Sequence, residues 1–386
     1  MNMKLSIIVS NPLKKDPRVI KQVKAAMQKG HEVQFVGYRD AFYDEEFLSD
    51  LGCRFDIVDL GAEYLGKLNS VSKKIKRRLA YPKQAQKYIE DFCPDVIHAN
   101  DFDVLIPAYR AAKKCKAALL YDSHEVYAEN IGIAEHRLVK SLIIFAERRL
   151  VRKVDRMVSV SNAAADYFAQ KYKIPRPTVI TNCPMPSALP LKEKAADAFE
   201  VVYQGLMVAG RGYEEFIAAA EHIPQGIRLV LRGYGGLEPE LRRRCQEPEL
   251  SSKVRFDAPV EVAELIQAAS SSHVGAVLTR PVNLNFRLSV SNKVFEYAAA
   301  GLPVLMSDVP EHRYLNETYD FGILLPEVTP QAIAEAIVSL RDNPSLYEKL
   351  SKNASKMFEA LNWEAESEKL LQIYEELGRL AKERRK

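Results

Sequence analysis

Short apolar runs alternate with amphipathic segments along the chain, and no other feature of the sequence limits the fold as strongly. In the first half, runs typical of buried strands occupy residues 5–9, 33–36, 55–58, 95–98, 117–121, 156–160 and 178–181. Helical patterns lie between most of them. The first helix has Asp16 as its N-cap and Pro17 at its first position. Strands that alternate with helices predict βαβ units and a parallel sheet.

The same alternation starts again after residue 200. Strand patterns occupy residues 201–204, 228–231, 254–256, 275–278, 304–307 and 322–325, and helical patterns occupy 213–222, 262–270, 293–300 and 330–341. Three prolines within residues 183–190 fit neither a helix nor a central strand, so this stretch is a linker. We therefore predict an α/β protein with two doubly wound domains. They occupy residues 1–185 and 199–360, with a linker at 186–198 and a C-terminal helix at 361–386 that packs back on the first domain.

Composition excludes several classes of protein. Of the 386 residues, 47% are apolar and 27% are charged, as in an ordinary globular protein. The net charge of +4 is too small for a nucleic-acid coat, and we expect no nucleic-acid partner. The five cysteines are scattered and form no Cys-x-x-Cys pair, which argues against a zinc site and fits a reducing compartment. No apolar stretch approaches the length of a membrane span, so we expect a cytoplasmic protein.

Open parallel sheets bind ligands beyond the carboxyl ends of their strands, so the residues that follow strands are the first candidates for a site. Residues 205–212 read Gly-Leu-Met-Val-Ala-Gly-Arg-Gly and precede a helix. Backbone amides of such a loop and the fork of Arg211 suit phosphate oxygens, whereas the alternative is a plain turn with a solvated arginine. Gly205 and Gly233 are positions where backbone can approach a ligand closely. Neither the loop 205–212 nor the loop that begins at Gly233 has a dinucleotide-binding or Walker-type pattern.

A second candidate is the segment 288–304, in which a helix follows Ser289-Val-Ser291. Ser289 or Ser291 can cap the helix, and Asn292, Lys293 and Glu296 lie on neighbouring positions of its first turn. An anion at the helix N-terminus and a carboxylate one turn below it suit a nucleotide with its ribose. The alternative is an ordinary surface Lys–Glu pair.

This segment resembles the helix signature of the family 4 glycosyltransferases, in the subgroup that has Asn-Lys-x-Phe-Glu-Tyr before Ala-Ala-Gly. In that family the residue matching Glu296 holds the nucleotide ribose. The first glutamate of the usual signature falls at Leu288, and the usual arginine after the first glycine falls at Leu206. Arg211 stands at the second basic position, and either Lys293 or Arg280 is a candidate for the missing charge.

The first half also resembles that family. Asp16-Pro-Arg18-Val is similar to its opening loop, and Asp122-Ser-His124-Glu is similar to its Asp-x-His motif, whose histidine lies beside the transferred sugar. The resemblance implies the GT-B fold, two Rossmann-like domains facing across a cleft. It also implies retaining hexosyl or related transfer from a nucleoside-diphosphate sugar, without metal or other cofactor. We accordingly interpret Asp101-Phe-Asp103 as no metal site.

The resemblance assigns roles to particular residues. His124, Arg211 and Glu296 are the expected catalytic residues. Donor binding is expected at Gly205, Arg211, Gly233, Ser291, Asn292, Lys293 and Glu296, and the acceptor, a glycan or lipid-linked molecule, at Arg18, Asp101 and His124. A cell-surface polysaccharide or glycolipid is the expected product. A nucleotide-sugar epimerase on the same fold and a catalytically impaired partner subunit are the alternatives.

The stretch between Glu63 and Glu90 is strongly basic, with eight lysines and arginines and no acid between those two glutamates. Apolar residues recur along it at helical spacing. Residues 65–87 therefore predict either a helix that binds an anionic membrane surface or a helix that packs on its own sheet with a solvated outer face. The first alternative places the protein at the inner face of the membrane.

Overall fold

The computed structural model describes residues 2–14, 16–39, 42–59, 71–130 and 133–386; for 71–80, 248 and 249 it describes the backbone alone. The chain forms two compact units. The first consists of Met1–Ile180 together with Ser367–Lys386, and the second of Thr181–Glu366. Between residues 180 and 198 the chain has neither helix nor strand.

The first unit is built on a parallel sheet of seven strands in the order β3-β2-β1-β4-β5-β6-β7. The strands are β1 (Lys4–Ile8), β2 (Glu32–Tyr38), β3 (Arg54–Val58), β4 (Val96–Asn100), β5 (Ala118–Ser123), β6 (Arg156–Ser159) and β7 (Thr178–Val179). Strand β1 pairs with β2 on one side and with β4 on the other, so the winding direction reverses between β1 and β4. Crevices at such a reversal are where open sheets bind ligands.

The helices of this unit are α1 (Pro17–Gln28), α2 (Glu45–Asp50), α3 (Val71–Phe92), α4 (Leu105–Cys115), α5 (Arg137–Leu150) and α6 (Asn162–Tyr172). Helix α1 starts as predicted, because the Asp16 side chain accepts a hydrogen bond from the Val19 amide and Pro17 occupies the first turn. Its buried face includes Val19 and Val23, which cover the sheet.

The second unit repeats the architecture with a parallel sheet of six strands in the order β10-β9-β8-β11-β12-β13. The strands are β8 (Phe199–Leu206), β9 (Ile227–Tyr234), β10 (Val254–Asp257), β11 (Val274–Val277), β12 (Val304–Ser307) and β13 (Gly322–Leu325). The winding reverses between β8 and β11. Its helices are α7 (Tyr213–Ala218), α8 (Glu238–Arg244), α9 (Pro248–Ser251), α10 (Leu265–Ser270), α11 (Leu284–Leu288), α12 (Asn292–Ala299), α13 (Pro310–Tyr319), α14 (Pro330–Asp342) and α15 (Pro344–Ala360).

Two of the predicted helices are shorter than their sequence patterns. The pattern 213–222 forms α7 followed by a 3₁₀ turn at Ala219–Glu221, and the pattern 262–270 opens with a 3₁₀ turn at Val262–Glu264 before α10. Tighter i→i+3 turns are common at helix ends. Within a single turn, apolar residues have the same spacing in a 3₁₀ helix as in an α-helix. The side-chain pattern therefore cannot separate the two forms.

The last helix, α16 (Trp363–Arg385), begins in the second unit, and from Ser367 its residues belong to the first. The Tyr374 hydroxyl lies 2.7 Å from Nδ1 of His98 in β4, and Arg385 pairs with Asp95 at 2.6 Å. The fold class predicted from the sequence is confirmed: two Rossmann-like parallel α/β units and a C-terminal helix. In the described ranges, no helix has both the length and the apolar character needed to cross a bilayer.

Candidate functional site

The carboxyl end of β8 in the second unit is tightly packed and depends on two glycines. Gly205 has φ +113°, and a Cβ at this position would lie 2.7 Å from Cε and 2.9 Å from Nζ of Lys293. Gly233, at the end of β9, has φ +146°, and its Cβ would lie 2.0 Å from the carbonyl oxygen of Gly205. Any larger residue would therefore displace Lys293 or separate the two strand ends. Both glycines were predicted as donor-binding residues, and the structure places them beside each other.

Two cations at this strand end form no ion pair with any of the described residues. Nε of Arg211 is buried and has no hydrogen-bond partner among the described residues, and the guanidinium carbon lies 5.5 Å from the centre of the Phe286 ring. Lys293, in the first turn of α12, is only 9% exposed. Because a buried charge is costly unless it is paired, this arrangement suits a ligand that brings negative charge.

The pKa of Lys293 reflects the same environment. Burial and, to a smaller extent, the neighbouring charge of Arg211 lower the pKa of Lys293 from its ordinary value, Glu296 raises it slightly, and the net result is a pKa of about 8. Arg211 and Lys293 are thus close enough to repel each other. An anion bound between them would remove that repulsion and raise the pKa of Lys293.

The carboxylate of Glu296 is held in position by a chain of polar side chains from the sheet. Nε2 of Gln204 in β8 donates to Oε2 of Glu296 at 2.9 Å. Arg232 in β9 lies beside Gln204, with Nη1 3.4 Å from Oε1 of Gln204, and pairs with Asp257 at 2.8 Å. The sequence analysis did not find Gln204 or Arg232. Their one signal is a polar residue that directly follows three buried apolar residues of a strand, Val201–Tyr203 in β8 and Leu229–Leu231 in β9.

Glu296 belongs to the first turns of α12, so the start of this helix is close to Glu296 in sequence. Of the two predicted caps, Ser289 and Ser291, the N-cap residue is Ser291, with extended backbone angles, but its side chain makes no capping hydrogen bond. Asn292 at the first helical position is exposed. The Ser291 side chain therefore does not occupy the N-terminal amides of this eight-residue helix, although the Val294 amide donates to the Ser291 carbonyl at 3.0 Å.

The structure distinguishes the two residues proposed to replace the missing basic residue of the phosphate loop. The guanidinium of Arg280 pairs with Glu215 at 2.9 Å, so its charge is compensated within the unit. Lys293 makes neither an ion pair nor a hydrogen bond among the described residues and lies against Gly205. Leu206, at the position of the usual arginine, is 45% exposed, and Leu288 ends α11.

In the first unit, the predicted acceptor-side residues lie together at the carboxyl ends of β4 and β5. The backbone amide of His124 donates to Oδ1 of Asp101 at 3.0 Å. Nδ1 of the His124 ring lies 3.3 Å from Oδ2 of Asp101. Its Nε2 lies 3.0 Å from Oδ1 of Asn100 and 3.5 Å from Asp122. Both ring nitrogens thus face acceptors, which favours the doubly protonated imidazolium.

The carboxylates around His124 determine its charge. Burial by itself lowers the pKa of His124, but Asp101 and Asp122 outweigh burial and raise it to about 9. The ring is a cation at neutral pH and is oriented on both sides. It can position or polarise a polar group, but it is not a general base in this state.

Arg18 is buried at 3% exposure and is fully engaged within the first unit. Its guanidinium forms a bidentate pair with Asp122 at 3.0 and 2.9 Å and donates to the carbonyl of Ile180 at 2.9 Å. Burial alone would raise the pKa of Asp122, but Arg18 and His124 hold it well below its ordinary range. The role of Arg18 towards an acceptor stays a prediction, and its observed contacts orient Asp122, which in turn faces His124.

Residues 65–70 of the basic segment lie outside the described residues, and residues 71–87 form part of helix α3, with 71–80 described as backbone alone. Of its cations, the side chains of Lys83 and Lys87 are described, and both are exposed on the last part of α3. The choice between a membrane surface and a packed helix stays open for this segment. Within the described ranges, no group of three or more His, Cys, Asp or Glu side chains is arranged to hold a metal ion.

The sequence matches two known protein families, one in each half of the chain. Residues 18–183 match Glycosyltransferase Family 4, and residues 198–343 match Glycosyl transferases group 1. A curated relative, the alpha-D-kanosaminyltransferase of Streptomyces kanamyceticus, is 24% identical over 259 residues. The match covers 63% of this chain and 66% of that enzyme, just under two thirds of its length.

Solved structures share the fold over nearly the whole chain. Sucrose-phosphate synthase from Thermosynechococcus elongatus superposes with a TM-score of 0.76 at 20% identity and covers 97% of this chain and 99% of its own. The Anabaena protein HepE in complex with UDP has a TM-score of 0.74 at 14% identity and covers 97% and 100%. At these identities the superpositions establish the fold, which is GT-B.

The fold defines a two-unit α/β protein of the GT-B class, with a charged cluster at the strand ends of each unit. The family matches then make the assignment more specific. The first half of the chain is similar to Glycosyltransferase Family 4, and the second half is similar to Glycosyl transferases group 1.

Proposed function

We propose that this protein transfers a sugar from a nucleoside-diphosphate sugar to an acceptor hydroxyl, with retention of configuration and without a metal ion. One observation carries the proposal most directly. At the end of β8 the second unit holds two basic groups, Arg211 and Lys293, that form no ion pair among the described residues. A diphosphate supplies the negative charge that this arrangement lacks.

In the proposed reaction, charge develops on the diphosphate as the bond to the sugar breaks. Arg211 and Lys293 stabilise that charge in a site of low polarity, where ionic interactions are strong. The amides at the start of α12 add donors on the same side. Because these groups are fixed before the reaction, no reorganisation is needed when the charge appears.

Glu296 is proposed to bind the ribose of the nucleotide, since a carboxylate can accept hydrogen bonds from neighbouring hydroxyl groups. The Gln204 amide bonded to it at 2.9 Å, with Arg232 behind that amide, orients the carboxylate before the nucleotide binds. Because Glu296 is already ordered by this support, it loses less conformational entropy when the nucleotide binds.

In the first unit, His124 is proposed to position the transferred sugar as a fixed imidazolium. Its hydrogen-bond partners Asp101 and Asn100 orient the ring, and its pKa of about 9 keeps it charged. The acceptor, a glycan or a lipid-linked sugar used in polysaccharide or glycolipid synthesis, is assigned to the same region. HepE, solved with UDP, and the kanosaminyltransferase support donors of the nucleotide-sugar class.

The first test is thermal melting of the full chain with UDP, GDP, ADP and CMP, each with and without EDTA. A ligand at about 100 times its dissociation constant stabilises by about 2.7 kcal/mol, which shifts the melting temperature measurably. We expect one nucleoside diphosphate to raise the melting temperature equally with and without EDTA. A shift that EDTA abolishes would contradict metal independence, and no shift with any nucleotide would contradict the donor site.

The chemistry is then tested by NMR with the sugar nucleotide of the preferred base. Transfer with the anomeric configuration of the donor retained is the expected result, and an inverted product would contradict retention. Conversion of the donor sugar without an acceptor would instead identify an epimerase. Tight nucleotide binding without turnover for any acceptor would favour the impaired partner subunit, a role consistent with Leu288 at the position of the first glutamate.

A further inference from the structure

Helix α5 of the first unit exposes large apolar side chains along one continuous stripe. Leu138 is 83% exposed, Leu142 is 68% exposed and Phe145 is 55% exposed. Their spacing of i, i+4 and i+7 places them on one face of the helix. Large apolar residues exposed singly are ordinary, but a contiguous exposed stripe marks an interaction surface.

The opposite face of α5 is anchored, so the stripe does not turn inward. Glu147 is fully buried and accepts hydrogen bonds from the hydroxyls of Tyr121 at 2.7 Å and of Tyr172 at 2.5 Å. Lys140 pairs with Glu129 at 2.7 Å beside the same face. The helix is thus held by buried polar contacts, while its apolar outer stripe faces solvent.

The charges around the stripe are nearly all positive. The exposed cations on α5 and in the turn after it are Arg137, Arg148, Arg149, Arg152 and Lys153. Among residues 133–153, Glu135 is the one acid that is exposed, because Glu147 is buried. The guanidinium of Arg149 lies 4.3 Å from the centre of the Phe145 ring, so charge and apolar surface adjoin on the same stripe.

We propose that α5 docks on the surface of an anionic lipid bilayer, with Leu138, Leu142 and Phe145 inserted at the headgroup boundary. An apolar stripe bordered by arginines is what such an interface requires, since the hydrocarbon accepts the side chains and anionic headgroups accept the guanidiniums. A second copy of this chain fits less well, because pairing two such faces would bring like charges together. The proposal is independent of the transfer reaction and of the basic segment 65–87.

The proposal is tested by flotation of the full chain with vesicles of phosphatidylcholine alone or mixed with phosphatidylglycerol. We expect binding to the mixed vesicles that weakens as salt rises. The Leu138→Gln/Leu142→Gln double variant should lower the partition coefficient at least tenfold. The matched control is Val262→Gln, which replaces an apolar residue that is 72% exposed in the second unit and should leave binding unchanged.

A second variant reports on insertion directly and does not depend on a loss of binding. The chain has one tryptophan, Trp363, which is 3% exposed and gives a constant background. Phe145→Trp should show a blue shift of its emission with anionic vesicles and quenching by brominated lipids. Its fluorescence should not change with phosphatidylcholine alone at high salt.

Three results would overturn the proposal. The first is the absence of binding to anionic vesicles, and the second is binding by the double variant equal to that of the unmodified chain. The second result would place any membrane contact elsewhere, such as at residues 65–87. The third is a stable dimer in sedimentation that the double variant dissociates, because it would identify the stripe as an interface between copies.

Discussion

The charged clusters at the strand ends of the two units differ in how their charges are compensated. In the first unit, Arg18 pairs with Asp122, and His124 lies between Asp101 and Asp122. In the second unit, Lys293 and Nε of Arg211 have no such partners among the described residues. The fold is nearly the same in both units, so the difference lies in the side chains at equivalent edges of the sheets.

This difference separates two ways of preparing a site. A paired cluster is already stable and keeps its geometry without ligand, which suits positioning of a neutral sugar. A cluster of uncompensated cations is destabilising until an anion binds, and its interaction with that anion is correspondingly strong. Four changes test this comparison, and they are ordered from the largest expected effect to the smallest.

Asp122→Asn should destabilise the first unit by about 3 to 5 kcal/mol, because it leaves the buried guanidinium of Arg18 without its counter-ion. Calorimetry of the full chain measures the effect as a lower melting temperature for the corresponding transition. The matched control is Asp166→Asn, which breaks an exposed pair with Arg176 and should change stability by less than about 1 kcal/mol. Equal melting temperatures for the two variants would show that the pairing in the first unit is not energetically important.

Arg211→Gln should weaken binding of the preferred nucleoside diphosphate by about 100-fold, because a charged hydrogen bond to phosphate contributes about 1.5 to 3 kcal/mol. Isothermal titration calorimetry measures the change. Arg280→Gln is the control, since Arg280 is compensated by Glu215 and should alter affinity only slightly. If the two variants lost affinity equally, the distinction between paired and unpaired arginines in this unit would fail.

Lys293→Met should have opposite effects on stability and on binding. Without ligand, removal of a buried uncompensated cation should stabilise the second unit by roughly 2 kcal/mol, and diphosphate affinity should fall about tenfold. The folded pKa of Lys293 is about 8, below its ordinary value of 10.5, so the destabilisation is fully present below pH 8. The destabilisation by Lys293 disappears as the pH rises from about 8 towards 10.5. Chemical denaturation of the unmodified chain should therefore show a rising free energy of unfolding across that pH range.

In Lys293→Met, the rise in stability that Lys293 contributes between those two pH values should be absent. A variant that is less stable than the unmodified chain without ligand would show that Lys293 is compensated by a group of the protein. That outcome would remove the main contrast between the two units.

Asp101→Asn should lower the pKa of His124 by about one unit, since it removes one of the two carboxylates that raise it. NMR titration of the His124 ring measures the shift. In the unmodified chain the folded pKa of about 9 exceeds the unfolded value of 6.5. The stabilisation by the charged ring is therefore complete below pH 6.5 and is lost as the pH rises through 9. An unchanged pKa in the variant would assign the shift to Asp122 alone.

The sequence predicted the strands well, because each strand of a parallel sheet covered on both faces is a short continuous apolar run. In the described part of the chain, all thirteen strands lie at the predicted positions, with ends that differ by a few residues, as at Ile227–Tyr234 against the predicted 228–231. Glycines and caps were also predictable, since Asp16 and Gly205 have local functions that require those residue types. The helix ends at residues 218 and 265 were not, because 3₁₀ and α turns have the same apolar spacing.

The candidate site was only partly predictable. The sequence identified Arg211, Lys293 and Glu296 but left open whether Lys293 or Arg280 provides the second charge. It did not find Gln204 or Arg232, which support Glu296, or Tyr374, which reaches His98 from the last helix. Each of these contacts joins elements that are separated in sequence and adjacent only in the folded unit.

The sequence by itself determined the two doubly wound units, their glycine-lined strand ends and the residue types placed there, because these follow from local patterns of apolar, small and charged residues. The tertiary structure decided which charges are compensated. Arg18 meets Asp122 across 104 residues, and Arg280 meets Glu215 across 65, whereas Lys293 is desolvated beside Gly205 and Arg211. The free energy of a charge depends on its burial and its partners, and both are set by which strand ends the crossover connections bring together.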